Sequence, residues 1–280
     1  MTILIVLYNN EKTILKTLNS IKKNNLGFKL NFVLIDNASK DKSLKLALNF
    51  FKKNFQDKKK RRLIVKKNDL NLGLAKALNQ GLKIIDKNFK SKFLLILNPD
   101  VLLCETCVKN LYHCLKSSKK KAVSAKIYLA DKTKLWFKGA KIDFIRFKTL
   151  HNNLNHCDYL PLCVVLFDYS IFKKMTFDKN FFLYYEDCDF FSRLKKQGTN
   201  FGVCDEAIAF HDESHSSLGQ NKQYYLVYSA LIFFEKHYPK AFKFYFWLGF
   251  YARFFYHKYF SKKPVVLKAF NDFYKFSKSA

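Results

Sequence analysis

Residues 93–101 read FLLILNPDV, five consecutive apolar residues followed by a polar turn sequence. A short run that is apolar throughout is typical of a strand covered on both faces, as in a parallel sheet between two layers of helices. Three earlier runs have the same character, at Ile3–Leu7, Phe32–Ile35 and Leu63–Val65. Apolar residues at helical spacing follow each run. This alternation predicts an α/β fold with a Rossmann-like, mainly parallel sheet flanked by helices.

Acidic residues follow two of these strands, at the sheet edge where parallel sheets bind their ligands. Asp36 comes after the second strand and Asp100 after the fourth. One or two carboxylates, together with substrate phosphates, commonly hold a divalent cation. A local role explains each acid as well, because Asn98–Asp100 is a turn sequence and Asp36 can lead into a helix capped by Ser39. The residues alone leave both interpretations open.

The turn after the first strand disfavours two nucleotide-binding strategies. Leu7–Glu11, LYNNE, contains neither GxGxxG nor GxxxxGK. Dinucleotide oxidoreductases and P-loop enzymes bind phosphate with backbone amides of such glycine turns, so both classes are disfavoured.

Beyond about residue 120 the pattern changes to less regular strands, at Ala122–Tyr128, Lys134–Phe137 and Leu162–Phe167. A helix is predicted over about 186–197, ended by Gly198, and a longer one from about Asn221 to just before Pro239. No linker rich in Pro, Gly or Ser divides the chain. We therefore predict one unit over 1–220 with a helical extension over 221–280.

The formal net charge of +29 comes from 51 basic and 22 acidic residues. Only five of the basic residues are arginine, the side chain that reads base edges best, and the excess is spread along the whole chain. A specific nucleic-acid partner is therefore not expected. A basic surface does suit a phosphate-bearing ligand and an anionic membrane face.

Seven cysteines in a chain of this size do not suggest a disulfide framework, so we expect a reducing, cytoplasmic location. The N-terminal apolar run lacks a basic region and a cleavage site, and it is interpreted as the first strand. Residues 222–280 contain eleven Lys or Arg, many Phe and Tyr, and only two acids. This extension either lies on anionic lipid or packs on the rest of the protein.

The segment FFLYYEDCDFF, residues 181–191, places three acids among aromatic residues. Ionised carboxylates resist burial unless they are paired. An ion pair between Asp189 and Arg193, four residues apart on a helix, accounts for one of the acids. It gives no reason for Glu186 and Asp187 directly after FFLYY.

Five segments, TILIVLYNN, VLIDNASKD, NLGLAKALNQG, LLILNPDV and FFLYYEDCDFFSRL, resemble the motifs of family 2 glycosyltransferases in order and spacing. The similarity covers roughly residues 1–240 and is greatest to the rhamnosyltransferase-like branch of bacterial surface-polysaccharide enzymes. It implies a GT-A fold, with a nucleotide-sugar-binding half over 1–120 and an acceptor-binding half over 121–220. It also implies inverting, metal-dependent transfer of a hexosyl or rhamnosyl group from a nucleoside-diphosphate sugar.

The resemblance further implies roles for individual residues. An Mn²⁺ or Mg²⁺ ion would be bound by Asp100, in an Asn-Pro-Asp version of the family's acidic motif, with His211 near the ion or the diphosphate. The nucleotide-sugar contacts would come from Tyr8, Asn9, Asp36, Lys76 and Asn98.

Inverting transfer needs one base, which removes the proton of the acceptor hydroxyl, while a metal stabilises the departing diphosphate. The resemblance assigns the base to Asp187, with Glu186 second. The aromatic residues before the two acids suit contact with the apolar face of a sugar.

The sequence thus predicts a bacterial, cytoplasmic glycosyltransferase, peripheral on the inner face of the membrane. It would extend a lipopolysaccharide, lipooligosaccharide or capsule, on a glycan or lipid-linked acceptor. A sugar-nucleotidyltransferase is an alternative, although that class is expected to have a glycine-rich basic turn after the first strand. The sequence is also compatible with a non-enzymatic nucleic-acid-binding protein and with an inactive scaffold that retains the fold.

Overall fold

The structure of the protein is a computed structural model that describes residues 1–24, 29–55, 61–131, 133–152, 157–212 and 221–279. The first half alternates strands and helices. Its elements are β1 (Thr2–Leu7), α1 (Ile14–Lys23), β2 (Leu30–Asp36), α2 (Ser43–Asn54), β3 (Arg61–Lys67), α3 (Leu74–Asn88) and β4 (Phe93–Leu97).

The second half contains strands of more varied length and ends in helices. Its strands are β5 (Val101–Leu103), β6 (Ala122–Leu129), β7 (Leu135–Phe137), β8 (Ala140–Asp143), β9 (Lys148–His151), β10 (Val164–Asp168) and β11 (Phe201–His211). Its helices are α4 (Cys107–Ser117), α5 (Glu186–Lys196), α6 (Asn221–His237), α7 (Lys243–Tyr256) and α8 (Pro264–Ser279).

The strands form one main sheet in the order β3-β2-β1-β4-β10-β6-β11-β5, with β7 paired to β6. β1 to β4 are parallel to one another, as is β11 to β6, whereas β10 and β5 run antiparallel to their neighbours. β8 and β9 form a separate hairpin. The predicted α/β class, with a mainly parallel sheet flanked by helices and a C-terminal helical extension, is confirmed.

The boundaries of α5 follow its sequence. Gly198, just beyond the helix, has a positive φ of 72°, and its N–H donates to the carbonyl of Lys195 (3.0 Å). Helices often end at a residue in the left-handed conformation, which costs glycine less than any other residue. The helix therefore ends where the sequence predicts.

The C-terminal helices are packed on one face and exposed on the other. α7 buries Phe246 and Phe250, which contact Phe273 of α8 at ring-centroid distances of 6.1 and 5.6 Å. α8 in turn packs along α6. No helix in the described parts of the chain is both long and apolar enough to cross a membrane.

Candidate active site

A cavity of about 460 Å³ lies beyond the carboxyl ends of β1 and β4, where a parallel sheet is expected to bind its ligand. Side chains from both halves of the chain line it. The sequence-predicted site residues among them are Tyr8, Asn98, Asp100, Glu186, Asp187 and His211.

The other three predicted site residues do not line this cavity. Asp36 is buried at the end of β2 and accepts a hydrogen bond from the N–H of Ser39 (3.2 Å). Asn9 accepts one from the N–H of Lys40 (2.8 Å). Lys76 is exposed in the first turn of α3. Asp36 thus shapes the loop after β2, and Asn9 holds that loop against the turn after β1. A nucleotide contact by any of the three stays a prediction.

Asp100 and His211 meet because β5 and β11 are paired. His211 lies opposite Val101 in that pair, so its Nε2 comes within 3.4 Å of Asp100 Oδ1. Both side chains are largely buried, at 12% exposure for His211 and 18% for Asp100, and Asp100 Oδ1 makes no hydrogen bond within the described structure. A buried carboxylate oxygen beside an imidazole is a donor set that suits Mn²⁺ or Mg²⁺.

The described residues contain no group of three or more His, Cys, Asp or Glu that could hold a metal on their own. A site with two protein ligands leaves the remaining positions to substrate phosphates and water, which is how Mg²⁺ is usually bound. The residues present therefore fit a cation that arrives with a phosphate ligand.

Glu186 and Asp187 begin α5 and lie in the same cavity. Glu186 is 5% exposed, and its Oε2 has no hydrogen-bond partner among the described residues. Asp187 keeps partial solvent access, and its Oδ1 accepts the N–H of Cys188 (2.7 Å). Burial raises the pKa of both carboxyls, and the charge of Asp187 raises that of Glu186 further. Raised carboxyl pKa values in a cleft are typical of proton-transfer sites.

The loop before these acids is held in an unfavourable backbone conformation. Tyr184 and Tyr185 have φ values of 65° and 62°, in the left-handed region that costs non-glycine residues about 1–3 kcal/mol each. Phe182, at the start of the loop, accepts a hydrogen bond at its carbonyl from the N–H of Leu74 (2.7 Å). Ser229 of α6 donates to the carbonyl of Leu183 (2.7 Å). The loop is therefore fixed from both sides.

Gly73 makes the contact between Leu74 and Phe182 possible. A Cβ at position 73 would lie 2.5 Å from the carbonyl oxygen of Phe182, and the φ of 81° also favours glycine. The NLG sequence before α3 thus positions the acid-bearing segment, a role that no local pattern in the sequence indicates.

Asp189 lies in the same helical turn but belongs to a different environment. Its side chain is fully buried and accepts hydrogen bonds from Arg193 Nε (2.8 Å) and His237 Nε2 (2.8 Å), and Lys236 Nζ lies 2.7 Å away. Burial alone would raise the pKa of Asp189. The hydrogen bond of His237, the charge of Arg193 and the contacts of Lys236 outweigh burial and lower the pKa to about 2.

Further cavity residues were not identified from the sequence. Lys222, in the first turn of α6, brings a positive charge to the cavity. Trp136, His151 and Tyr159 form an aromatic wall, in which His151 Nε2 lies 2.7 Å from the Tyr159 hydroxyl. None of these residues belongs to a motif singled out in the sequence, so only the folded chain identifies them as cavity residues.

The chain is similar to known proteins in sequence pattern and in fold. The sequence model of the family described as Glycosyl transferase family 2 matches residues 2–181, which ends just before α5. A search of curated protein sequences finds no match.

Solved structures share the fold at low sequence identity. S. aureus TarS 1-349 in complex with UDP-GlcNAc is 16% identical (TM-score 0.58, covering 97% of this chain and 80% of that one). The mannosyltransferase PcManGT from Pyrobaculum calidifontis, in complex with GDP-Man and Mn²⁺, is 16% identical (0.62, 100% and 75%). GalNAc-T7 with UDP, GalNAc and Mn²⁺ is 12% identical (0.59, 87% and 53%).

Proposed function

The chain belongs to Glycosyl transferase family 2, and on that premise we propose that it moves one sugar, with inversion, from a nucleoside-diphosphate donor to a glycan or lipid-linked acceptor. The observation that carries the proposal is the shared cavity. It has a potential cation site, Asp100 with His211, and it also receives two buried carboxyls with raised pKa, Glu186 and Asp187. The complexes of structural neighbours with UDP-GlcNAc, GDP-Man and Mn²⁺ are consistent with this chemistry.

On the donor side, Asp100 and His211 would hold the divalent cation. When bound, Mn²⁺ or Mg²⁺ stabilises the negative charge that develops on a diphosphate leaving group. Tyr8 and Asn98, both from the first half of the chain, line the same cavity and would contact the nucleotide sugar. These nucleotide-sugar contacts are part of the proposal, and so are contacts of Asn9, Asp36 and Lys76 with the same ligand.

On the acceptor side, Asp187 would remove the proton from the attacking hydroxyl. A general base works best with a pKa near the working pH, and burial moves this carboxyl in that direction. The charge of Asp187 makes Glu186 the harder of the two to ionise, so Glu186 retains its proton longer. This order favours Asp187 as the base.

A thermal-shift panel tests the donor site directly. UDP-, GDP- and dTDP-sugars are added with and without Mn²⁺, because a ligand of the native state raises the melting temperature by mass action. We expect one nucleotide class to stabilise the protein, more strongly with Mn²⁺. Asp100→Ala should lose the Mn²⁺-dependent part of the shift, and Asp205→Ala, an exposed acid of β11, should keep it. No shift with any donor would contradict the proposal.

We also propose that the protein lies on the anionic, cytoplasmic face of a bacterial membrane while it extends a surface glycan. The glycan assignment and its rhamnosyltransferase-like branch rest on the sequence resemblance alone. The membrane assignment is supported by an exposed surface around α7, which we call the aromatic face. It comprises Phe242, Phe244, Tyr245, Leu248, Tyr251, Phe255, Tyr256, Tyr259 and Phe260.

Exposed apolar surface of this extent is unusual on a protein that contacts only water. Lysines at 240, 258, 262 and 263 are interleaved with it, and each contributes about 1 kcal/mol of attraction near an anionic surface. Aromatic side chains with interspersed lysines are typical of helices that lie in a membrane interface.

Co-sedimentation with phosphatidylserine vesicles checks the membrane proposal. Replacing Phe244 and Phe260 together by Ser should weaken binding at least about tenfold, because each buried phenylalanine contributes about 1.5–3 kcal/mol. Leu70→Ser removes an equally exposed apolar residue from the other half of the chain and should change nothing. Equal sedimentation of all three proteins would refute membrane contact through the aromatic face.

A further inference from the structure

A second cavity, of about 230 Å³, lies between α6, α7 and α8, and the proposed transfer assigns it no role. Most of its lining is apolar and includes Leu226, Ala230, Phe234, Phe246, Phe250 and Phe270. Its volume exceeds the roughly 150 Å³ of an apolar protein cavity that stays dry and takes up benzene. Size and lining therefore suit a hydrocarbon ligand.

The second cavity shares a wall with the candidate active site, because Tyr185 and Leu226 line both. Tyr185 directly precedes Glu186 and has a left-handed backbone conformation. An occupant of the second cavity would thus pack behind the residue that leads into the acidic pair.

One wall of the cavity is a row of ring contacts that leads away from the active site. Tyr185 contacts Phe234 (6.0 Å between ring centroids), and Phe234 contacts Phe147 (5.3 Å). The guanidinium of Arg253 lies over Phe147, 4.5 Å from its centroid. The cavity therefore extends from Tyr185 at the active site to Arg253 at its other end.

That other end is positively charged. Arg253 donates hydrogen bonds to the carbonyls of Gly249 and Arg146 (3.2 Å each), and no carboxylate of the described chain forms an ion pair with it. His257 lies one turn further along and also lines the cavity. The residues that follow, Tyr259 and Phe260, belong to the aromatic face. A half-buried guanidinium with only neutral partners is suited to an anion.

We infer that the second cavity binds one hydrocarbon chain of an anionic membrane lipid. The negatively charged head group lies at Arg253 and His257, beside the aromatic face. The end of the chain reaches the wall formed by Tyr185 and Leu226.

The order of the two ends favours a membrane lipid over the acceptor itself. An acceptor with its chain in this cavity would carry its phosphate and sugar at Arg253, at the opposite end from Glu186 and Asp187. A lipid of the surrounding membrane takes no part in transfer, so its head group need not lie near Glu186 and Asp187. Its hydrocarbon chain would pack against Tyr185 on the side of the second cavity. Any effect of this packing on sugar transfer rests on the proposed function.

Binding is tested with soluble probes, by isothermal titration calorimetry of the full chain below the micelle concentration. Dodecyl phosphate should bind, with a negative heat-capacity change that marks burial of apolar surface. Butyl phosphate should bind at least about 100-fold more weakly, because each methylene that leaves the cavity lowers affinity about fourfold. Equal binding of the two phosphates would overturn the inference.

Two variants test the location. Ala230→Leu fills the cavity with three further carbon atoms and should weaken dodecyl phosphate about 10- to 50-fold. Ala252→Leu makes the same change on the exposed side of α7 and should leave affinity unchanged. Arg253→Gln should weaken dodecyl phosphate about tenfold while leaving neutral dodecanol unaffected. The Arg253→Gln variant keeps the test decisive if Ala230→Leu does not fold.

These measurements need no sugar donor, so their failure is separate from failure of the proposed function. Unchanged affinity in both Ala230→Leu and Arg253→Gln would exclude this cavity as the binding site. An unchanged far-UV circular dichroism spectrum of Ala230→Leu would show that the variant is folded, so that its loss of affinity belongs to the lipid site.

Discussion

The first turn of α5 contains two carboxylate environments that differ only in their partners. Glu186 and Asp187 face the cavity without a cation partner in the described structure, and the pKa of each is raised. Asp189, two residues further, is buried at least as deeply, and its pKa is lowered to about 2. Burial therefore does not decide the ionisation of these acids. His237 and Lys236 of α6, together with Arg193 of α5, reach Asp189 and decide it.

This difference separates function from structure within one helical turn. An uncompensated pair of buried acids is costly to keep and is typical of a site for proton transfer. A buried acid with several cationic partners is costly only when a partner is removed. Single substitutions can therefore alter one environment and leave the other intact.

The largest effect is expected from Asp187→Asn. If this carboxylate is the base, transfer should slow by about 10²–10⁴-fold, since an amide cannot accept the proton. Stability should not fall, because the substitution removes a charge that burial disfavours and keeps an oxygen that can accept the N–H of Cys188. Single-turnover assays with the donor identified by thermal shift measure the rate, and urea unfolding measures stability. Turnover at the original rate would remove Asp187 from the base role, and the same assay on Glu186→Gln would then show whether its neighbour has it.

Asp189→Asn should have the opposite profile. It leaves Arg193 without its carboxylate, whereas Lys236 keeps its ion pair with Asp178. Breaking a buried pair in this way costs about 3–5 kcal/mol. For a chain of this size that corresponds to a fall of roughly 10 °C in melting temperature. Asp205→Asn is the matched exposed control, expected within about 0.5 kcal/mol of the original protein. A loss of transfer without a loss of stability would place Asp189 with the catalytic acids.

The two environments should also respond to pH with opposite sign. The lowered pKa of Asp189 contributes stability that is present above about pH 4 and is lost as the pH falls toward 2, by about 2 kcal/mol. The raised pKa values of Glu186 and Asp187 act the other way, because the folded protein holds protons that the unfolded chain has released. That contribution is present below pH 4 and is lost as the pH rises toward neutral.

Urea unfolding in EDTA between pH 2.5 and 8 measures both trends. The destabilisation by Asp189→Asn should shrink below pH 4, whereas Glu186→Gln should become more stabilising as the pH rises. Parallel pH profiles for the two variants would show that their environments do not differ as described.

Much of the sheet could be predicted from the sequence because its first four strands are continuous apolar runs. β11 was not predicted, since Asp205 and Glu206 interrupt its apolar pattern. In the folded chain these two residues lie at a register shift between Cys204 and Ile208, where the pairing with β6 is interrupted and charged side chains stay exposed. Short strands such as β5 and β9 give too few residues for periodicity to detect.

The candidate site was predictable where a motif fixes the residue and not where tertiary packing does. Asp100 and Asp187 were assigned from the motifs that resemble those of family 2 glycosyltransferases, and both line one cavity. The partners of Asp189 on α6 are separated from it by nearly fifty residues, so periodicity cannot pair them. Only the i,i+4 partner Arg193 was identifiable in advance.

The smallest effect is expected from Arg193→Gln. Lys236 and His237 still reach Asp189 in this variant, so its carboxylate stays paired. The loss should be limited to one charge-assisted hydrogen bond and the contact of Arg193 Nη2 with the carbonyl of Thr176 (2.9 Å), about 1–2 kcal/mol.

A double-mutant cycle with Asp189→Asn isolates the charge contribution. Without the carboxylate, Arg193 is a cation close to Lys236, and its removal should cost less than in the original protein, with a coupling energy of at least about 1 kcal/mol. Strict additivity would mean that Arg193 stabilises α5 through Thr176 alone. In that case α6 by itself, and no residue of the acidic helix, would keep Asp189 ionised, while the pKa values of Asp187 and Glu186, two and three residues earlier, are raised.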